Sequence, residues 1–255
     1  MSGRDRFRQG AQGLVGTWVK IPALETVEML GHAGFDFVVI DLEHAPLGLD
    51  TAYRMIVTAQ AMGMAALVRL SDRSDAQVQR LLDAGADGLL VPHVSDPDMA
   101  ARITRAMVFA PCGTRGLGAT SRAGRWGLIP VADYVAQGDA CLRMVQLESW
   151  EVLGDAETYL SVDSVGGVFV GLGDLSLSSG RRPDDSETRT MVRAVAAAAR
   201  RAGKRSGIAA ASAEEARRYV EDGYSLVMVS NDATLFARAA EAVIAAMTSC
   251  SGPGN

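Results

Sequence analysis

Eight short apolar runs recur along this 255-residue chain, and each is followed by a segment whose apolar residues have helical spacing. The runs span residues 14–19, 36–42, 64–70, 87–92, 141–147, 166–171, 204–210 and 225–230. All but one have the Val-, Ile- and Leu-rich composition of buried parallel strands; the run 204–210 contains Gly207 and is assigned mainly by its position. Eight such units with short returns predict an α/β fold, a (β/α)8 TIM barrel, with an open doubly wound sheet as the alternative.

The length and composition predict a single barrel domain over residues 1–255, with polar termini at about 1–12 and 249–255. Hydrophobic residues make up 48% of the chain and charged residues 22%, which is enough apolar material for a core of this size. The net charge of −5 argues against nucleic acid or an acidic membrane as a partner, since both usually require basic patches.

Cysteine content and the absence of apolar segments predict a cytoplasmic protein. Cys112, Cys141 and Cys250 do not have the number or spacing of a disulfide framework or a zinc motif. The N-terminal segment has no apolar core like that of a signal peptide, and no stretch approaches the ~18 apolar residues of a membrane span.

Two carboxylates follow consecutive predicted strands: Glu148 closes the run 141–147, and Asp174 follows the run 166–171. Because parallel strands of a barrel end on the same face, we expect the two side chains to converge there. A divalent cation would offset their mutual repulsion, and two carboxylates with open coordination positions suit Mg²⁺ or Mn²⁺. Alternatively, either residue caps the helix that follows it.

A second group of polar residues ends the second and third predicted strands. Asp41 and His44 lie three residues apart in the segment IDLEHAP, a spacing that would let the carboxylate orient the imidazole as a general base. Arg69 would place a fixed cation on the same face of the barrel, at the rim formed by the C-terminal ends of the strands. There it would bind a carboxylate or stabilise an enolate. The alternative for Arg69 is a salt bridge with Glu43 or Asp72.

Three more residues are expected at this rim. Gln146 lies two residues before Glu148, on the same side of the strand, and suits a donor to a bound keto acid. Trp18 ends the first strand and either walls the pocket or packs in the core. His93 follows the fourth strand and is the reserve base.

One connection, residues 109–130, is too long for a simple turn and contains five glycines. Long irregular segments in compact domains usually act as lids or binding loops. Its residues Arg115, Arg122 and Arg125 would suit an anionic substrate. The alternative is a solvated excursion anchored by Trp126.

Seven motifs follow one another along the chain. They are GTW (16–18), IDLEHAP (40–46), VRL (68–70), AGADGLLVPHV (84–94), GTRGLG (113–118), QLES (146–149) and FVGLGDLS (169–176). In this order they resemble the HpcH/HpaI family of metal-dependent class II pyruvate aldolases, over nearly the whole chain. The resemblance implies a TIM barrel of the phosphoenolpyruvate/pyruvate type. It also implies reversible cleavage of a 4-hydroxy-2-oxo acid to pyruvate and an aldehyde through a metal-stabilised enolate.

Carried over by position, the resemblance implies that Glu148 and Asp174 hold the metal, with Mg²⁺ or Mn²⁺ favoured and Co²⁺ or Zn²⁺ as alternatives. It implies that Arg69 stabilises the pyruvate enolate and that His44 forms an acid/base dyad with Asp41.

The resemblance also implies substrate contacts and an assembly. Gln146 would contact the keto acid, and the backbone amides of Gly173 and Asp174 would receive its carboxylate. Family members form homo-oligomers, typically hexamers built from dimers that exchange the C-terminal helix, in which Asp83 would reach a neighbouring active site.

The chain departs from the family pattern in two places. It reads GLGDLS where relatives often read GPADLS, which alters the wall above the metal at Leu172 and Gly173, and SWEVLGDAE replaces the usual helix start after Glu148. Both departures bear on the shape of the substrate. The alternative functions are a siderophore-type citrate synthase or an oxaloacetate decarboxylase with the same enolate chemistry, a CoA-thioester lyase, and a non-catalytic barrel that serves as a binding protein.

Overall fold

The eight predicted runs form eight parallel strands that close into a barrel. The computed structural model describes residues 1–249, so Cys250 and the rest of the predicted polar tail lie outside the described residues. The strands are β1 (Leu14–Val19), β2 (Phe37–Asp41), β3 (Ala65–Arg69), β4 (Gly88–Val91), β5 (Leu142–Leu147), β6 (Gly167–Val170), β7 (Arg205–Ala210) and β8 (Leu226–Asn231). They pair in chain order, and β8 closes on β1. The predicted TIM barrel is therefore confirmed and the open sheet is excluded.

Helices surround the strands in the alternation that the sequence predicts. They are α1 (Gly3–Arg8), α2 (Leu24–Ala33), α3 (Leu49–Ala61), α4 (Asp75–Asp83), α5 (Pro97–Arg105), α6 (Val131–Asp139), α7 (Trp150–Gly154), α8 (Ala156–Ser161), α9 (Leu172–Ser179), α10 (Ser186–Arg201), α11 (Ala213–Glu221) and α12 (Asp232–Ser249), with a short 3₁₀ turn at Arg125–Gly127. Among residues 1–249, none of these helices is long and apolar enough to cross a membrane.

The alternation of side chains along each strand divides the core into two layers. On β2, Val38 and Ile40 pack outward against the helices, whereas Phe37 and Val39 point into the barrel. Gly16 makes room for the ring of Phe37, because a Cβ at position 16 would lie 2.4 Å from that ring. The interior is thus filled by side chains and is a packed core, not a pore.

The same alternation places polar residues at the C-terminal mouth of the barrel. Trp18, Asp41, Arg69 and Gln146 each lie two residues beyond an inward-facing residue of their strand, and so point inward in the last layer. Asp41 and Arg69 are direct neighbours in the register of β2 and β3. Strand periodicity alone therefore brings these four side chains together.

Helix α1 closes the N-terminal end of the barrel. Phe7 is buried among the inward-facing residues, Arg6 pairs with Asp36 at 2.6 Å, and Arg4 pairs with Asp87 at 3.0 Å. This polar N-terminal segment is thus an ordered part of the fold.

The long connection 109–130 joins α5 to α6 and therefore lies at the N-terminal end of the barrel, away from the rim of predicted site residues. The backbone amide of Ala123 donates to the carbonyl of Asp83 at 3.0 Å. The guanidinium of Arg122 donates to the carbonyl of Ala84 and to the side-chain oxygen of Gln60. Trp126 is 65% exposed. A lid over the rim of its own chain is therefore excluded, and the predicted anchoring by Trp126 is wrong because arginines fix the loop instead.

Replacing Phe7 by Ala is expected to lower the free energy of unfolding by about 3 kcal/mol, because it leaves a cavity at the N-terminal end of the barrel. Urea denaturation followed by circular dichroism measures this. The control Phe7→Leu keeps most of the apolar volume and should lose less than ~1.5 kcal/mol. Wild-type stability in Phe7→Ala would show that α1 does not close the barrel.

Candidate active site

A buried ion pair between Asp41 and Arg69 lies at the centre of the rim. Arg69 Nε is 2.9 Å from Asp41 Oδ1, and Arg69 Nη2 is 2.8 Å from Oδ2. Lys20 adds a third contact, with its Nζ 3.1 Å from Oδ2. Asp41 is fully buried, so its charge is balanced by these two cations and not by water.

The surroundings of Asp41 keep it ionised. Burial alone would raise the pKa of this carboxyl group. The hydrogen bond and charge of Arg69 outweigh that effect, with help from the backbone amide of His44 and from Lys20, and the pKa falls to about 2. At neutral pH Asp41 is therefore a fixed hydrogen-bond acceptor and carries no proton.

Arg69 is held on three sides. Besides its two bonds to Asp41, its Nη1 lies 2.9 Å from Glu43 Oε2, and its Cζ lies 4.3 Å from the ring centroid of Trp18. The hydrogen bonds to Asp41 use two of the five N–H groups of the guanidinium, whereas the contact with Glu43 is a charge contact without hydrogen-bond geometry. The remaining N–H groups sit on a rigid cation and are suited to an anionic oxygen of a substrate.

Glu148 and Gln146 end β5 with features that fit a divalent cation. Burial raises the pKa of Glu148, and the nearby charges of Asp174 and Glu43 raise it further, against the lowering effect of the His93 hydrogen bond. Gln146 Nε2 donates to Glu148 Oε1 at 2.6 Å, while the buried Gln146 Oε1 has no hydrogen-bond partner among the described residues. A cation bound there would stabilise the ionised carboxylate and complete the environment of the amide.

Asp174 lies in the first turn of α9, after the N-cap residue Gly171, and α9 has no side-chain cap. The alternative that Asp174 caps this helix is therefore not supported. The backbone amides of Gly173 and Asp174 lie in the turn that lacks intrahelical acceptors. A Cβ at Gly173 would meet nothing within 4 Å, so this helix N-terminus is open to a bound anion.

His44 is the rim histidine whose imidazole has the weaker contacts with neighbouring carboxylates. Its amide donates to Asp41 at 3.2 Å, but its imidazole Nε2 lies 3.8 Å from Glu43 Oε2, because Arg69 and Lys20 occupy Asp41. The expected orientation of this imidazole by Asp41 is therefore not formed. The ring is 55% exposed and is placed to exchange a proton with a ligand.

His93 is held between two carboxylates. Its Nε2 lies 2.6 Å from Glu43 Oε1, its Nδ1 lies 3.0 Å from Glu148 Oε2, and its backbone amide donates to the same oxygen at 2.8 Å. Its φ of +53° is in the left-handed region, which is costly for a residue with a side chain. Because both ring nitrogens of His93 contact carboxylates, they are less available to a ligand than those of His44.

Glu43 connects the site more than its sequence context suggested, since it contacts Arg69, His93 and His44. The signal was available, because Glu43 lies two residues beyond Asp41. The sequence predicts Glu43 only as an alternative salt-bridge partner of Arg69, a contact that the structure contains, and it does not point to Lys20, which follows β1 and contacts Asp41.

Asp83 does not join the rim of its own chain. It ends α4 at the opposite end of the barrel, where its Oδ1 accepts hydrogen bonds from Arg115 Nη2 at 3.0 Å and from the Tyr134 hydroxyl at 3.1 Å. Any contact of Asp83 with an active site therefore requires a second chain.

Residues 1–249 contain no preformed group of three or more His, Cys, Asp or Glu side chains that could hold a metal ion. The donors suited to a cation are the two carboxylates Glu148 and Asp174, with substrate and water left to complete the coordination.

Comparison with known proteins decides the family. The profile of the HpcH/HpaI aldolase/citrate lyase family matches residues 14–239. The chain belongs to this family. As an HpcH/HpaI protein it is an enzyme of the carbon–carbon lyase type, and the predicted family and enzyme class are both confirmed.

Individual relatives agree with the HpcH/HpaI assignment. The chain is 38% identical over 238 residues to the 4-hydroxy-2-oxo-heptane-1,7-dioate aldolase of Klebsiella pneumoniae, covering 92% of this chain and 89% of the relative. It superposes on an HpcH/HpaI aldolase/citrate lyase family protein from Burkholderia cenocepacia with a TM-score of 0.86 and 32% identity, covering 96% and 98% of the two chains. The citrate synthase SbnG shares the fold, with a TM-score of 0.84 and 24% identity over 97% and 98% of the chains.

Replacing Asp41 by Asn should lower the free energy of unfolding at pH 7 by about 3–5 kcal/mol, because Arg69 loses the partner of a buried ion pair. Ionised Asp41 stabilises the fold fully above its unfolded pKa of 3.8, and this contribution is lost as the pH falls through about 2. The difference in the free energy of unfolding between wild type and Asp41→Asn should therefore decrease by about 2 kcal/mol as the pH falls through this range.

Denaturant titrations at several pH values measure this gap. Asp50→Asn is the control, since Asp50 is an exposed carboxylate paired with Arg54, and should change stability by less than ~1 kcal/mol. A gap for Asp41→Asn that does not vary with pH would contradict the assigned role.

Proposed function

We propose that this HpcH/HpaI enzyme is a metal-dependent class II aldolase that cleaves a 4-hydroxy-2-oxo acid to pyruvate and an aldehyde, reversibly. The observation that carries the proposal is the rigid Arg69 cation, fixed by Asp41 and Glu43, beside a carboxylate that fits a divalent cation. An enolate needs such fixed positive charge where its oxygen develops. The name of the Klebsiella relative, an aldolase of a 4-hydroxy-2-oxo diacid, supports the same class of substrate.

Glu148 and Asp174 would hold the metal, for which Mg²⁺ or Mn²⁺ is the first choice and Co²⁺ or Zn²⁺ the alternative. When bound, the cation supplies a Lewis acid that polarises the keto group of the 2-oxo acid. The unpartnered Gln146 Oε1 supports a ligand beside Glu148. The amides of Gly173 and Asp174 would receive the substrate carboxylate at the open N-terminus of α9.

In the cleavage direction, His44 would accept the proton of the C4 hydroxyl group, the C3–C4 bond would break, and its electron pair would pass to the pyruvate part as an enolate. Arg69 would stabilise that enolate oxygen, and the protonated His44 would return its proton to C3, directly or through water, to give pyruvate. Asp41 would act through Arg69 and through the backbone amide of His44, not through the imidazole. Trp18, stacked on Arg69 and edge-on to Phe169, would form one wall of the pocket.

The alternative of a citrate synthase-type acceptor has less support. The arginines of the segment 109–130, which would suit a larger or more anionic acceptor, lie at the other end of the barrel in the same chain. The likeness to SbnG is a likeness of fold. A non-catalytic barrel is disfavoured by the family and by the intact arrangement around Arg69.

Exchange of the C3 protons of pyruvate in D₂O, followed by NMR, tests the enolate step without knowledge of the aldehyde. Wild-type protein with Mg²⁺ or Mn²⁺ should catalyse exchange, and removal of the metal or the change Glu148→Ala should reduce the rate by about 100-fold or more.

The matched control is Glu151→Ala, which removes an exposed glutamate three residues after Glu148. This variant should catalyse the exchange of the pyruvate protons at the wild-type rate. No exchange by wild-type protein with metal demonstrably bound would reject pyruvate as the substrate and with it the proposed reaction.

The proposed enzyme acts as a homo-oligomer, a hexamer by family resemblance, in the cytoplasm. Two features support the assembly. Asp83 cannot reach the rim of its own chain, and α12 carries large exposed apolar side chains. These are Leu235, Phe236, Val243, Ile244 and Met247. Such a face is typical of a helix covered by a second subunit, as in helix exchange between protomers.

The variant Ile244→Glu should shift the protein to smaller species in sedimentation velocity, because a charge at an apolar interface loses its hydration. Met29→Glu is the control, since Met29 has a similar exposure on α2, and it should leave the assembly intact. The same assembly in wild type and Ile244→Glu would rule out α12 as the interface.

A further inference from the structure

A cavity of about 840 Å³ lies at the N-terminal end of the barrel, away from the candidate active site. Its walls come from α1, the segment 109–130, α6 and the first residues of β5 and β7. This volume is within the range of about 300–1,000 Å³ that small-molecule sites occupy. The aldolase chemistry gives it no role.

The charge of this cavity is opposite to the charge of the whole chain. Seven arginines and two aspartates line it, whereas the chain has a net charge of −5. One of the aspartates, Asp87, is already bound by Arg4 at 3.0 Å and by Arg8 at 3.2 Å. The other, Asp139, accepts the backbone amide of Phe109. Asp83 lies just behind the wall and pairs with Arg115 at 3.0 Å, so three carboxylates face seven arginines and the wall has a surplus of positive charge.

Three of the lining arginines are held by neutral groups. Arg122 donates to the carbonyl of Ala84 and to the side-chain oxygen of Gln60, both at 2.9 Å. Arg143 and Arg205 donate to backbone carbonyls, at 2.6 to 3.0 Å. Burial lowers the pKa of Arg122 and of Arg205. These contacts fix the guanidinium groups in position without cancelling their charges.

Arg115 leaves a donor unused in the same wall. The residue is 6% exposed, and its Nη2 contacts Asp83 and the Tyr134 hydroxyl. Its Nε is buried and has no hydrogen-bond partner among the described residues. A buried donor without a partner is costly, and an anionic oxygen in the cavity would satisfy it.

Two glycines allow the arginines to approach the backbone. A Cβ at Gly85 would lie 2.6 Å from Arg122 Nη1, and a Cβ at Gly138 would lie 2.8 Å from Arg115 Nη1. Gly85 also has a φ of +89°, which a residue with a side chain rarely adopts. The backbone is thus shaped around the guanidinium groups on two sides of the cavity.

The loop that lines the cavity adds an accessible cation. Arg125 and Trp126 have φ values of +49° and +59°, both in the left-handed region, and both side chains are exposed. Two consecutive residues with side chains in this conformation are costly in free energy. The turn that contains them lines the cavity with a cation and an aromatic ring.

We propose that this cavity is a second binding site, separate from the aldolase site, for a small organic anion with two or more negative charges, either a phosphate ester or a polycarboxylate. The forked donors of arginine match the oxygens of both groups. Arg115, Arg122 and Arg125 bind the anion, and the arginines of β5 and β7 supply the surrounding positive charge. This site goes beyond the proposed aldolase function and does not depend on it.

Isothermal titration of the full-length protein with pyrophosphate and with citrate tests the proposal. The protein is first freed of metal, and the chelator is removed by dialysis, so that no anion binds through a metal ion; the variant Arg69→Lys shows whether an anion also binds at the candidate active site. Each anion should bind at one site per chain. Tighter binding of pyrophosphate identifies a phosphate ester as the ligand class, and tighter binding of citrate identifies a polycarboxylate.

The variant Arg125→Gln should weaken binding by about tenfold or more, as expected for the loss of a charge-assisted hydrogen bond, and Arg122→Gln/Arg125→Gln should weaken it further. Arg125 is exposed, so the single variant should melt at the wild-type temperature even if Arg122→Gln does not. Arg54→Gln, which removes an exposed arginine of α3, and Arg69→Lys, at the other end of the barrel, should bind both anions as wild type does.

No binding of either anion, or wild-type affinity in Arg125→Gln and in the double variant, would overturn the proposal. Neither result bears on the aldolase reaction, because the titration contains neither metal nor oxo acid. Conversely, if the protein did not catalyse exchange of the pyruvate protons, the proposal of an anion-binding site in this cavity would still stand.

Discussion

The ion pair between Asp41 and Arg69 is the interaction on which the rest of the rim depends. Burying two charges is costly, and here the cost is offset by a bidentate contact and by Lys20. The pair then fixes other groups, since the Arg69 guanidinium contacts Glu43 and Trp18. A side chain as flexible as arginine becomes a rigid part of the site only because each of its faces has a partner.

The two ends of the barrel differ in charge, and the difference follows from topology. The C-terminal mouth gathers carboxylates, among them Glu43, Glu148 and Asp174, around one fixed arginine. The N-terminal end gathers arginines from α1, from the segment 109–130 and from strand starts. The net charge of −5 is a sum over the whole chain and does not give the local charge at either end of the barrel. The argument from net charge against nucleic acid and acidic membranes therefore applies to extended surfaces and not to a small enclosed site.

Much of the fold and some of the rim could be predicted from the sequence, because both follow from periodicity. Parallel strands end on one face, and residues two apart share a side, which is enough to bring Asp41, Arg69 and Gln146 together. The spacing of residues along one strand does not reveal which side chain of an adjacent strand will bind a given carboxylate. Asp41 is taken by Arg69 because β2 and β3 are adjacent in register, so the predicted contact with the imidazole of His44 is absent.

The segment 109–130 differs from the rim in what the sequence reveals. Its length and glycines predict a functional loop, but it is the position of the segment after a helix that determines its location at the N-terminal end of the barrel. The structure therefore separates the arginines of this segment from the rim residues of the same chain. With Asp83 at the far end from His44, a complete active site in the proposed assembly draws on two polypeptides. Two inactive proteins, one altered at His44 and the other at Asp83, would then regain part of their activity when they are co-assembled, as in intersubunit complementation.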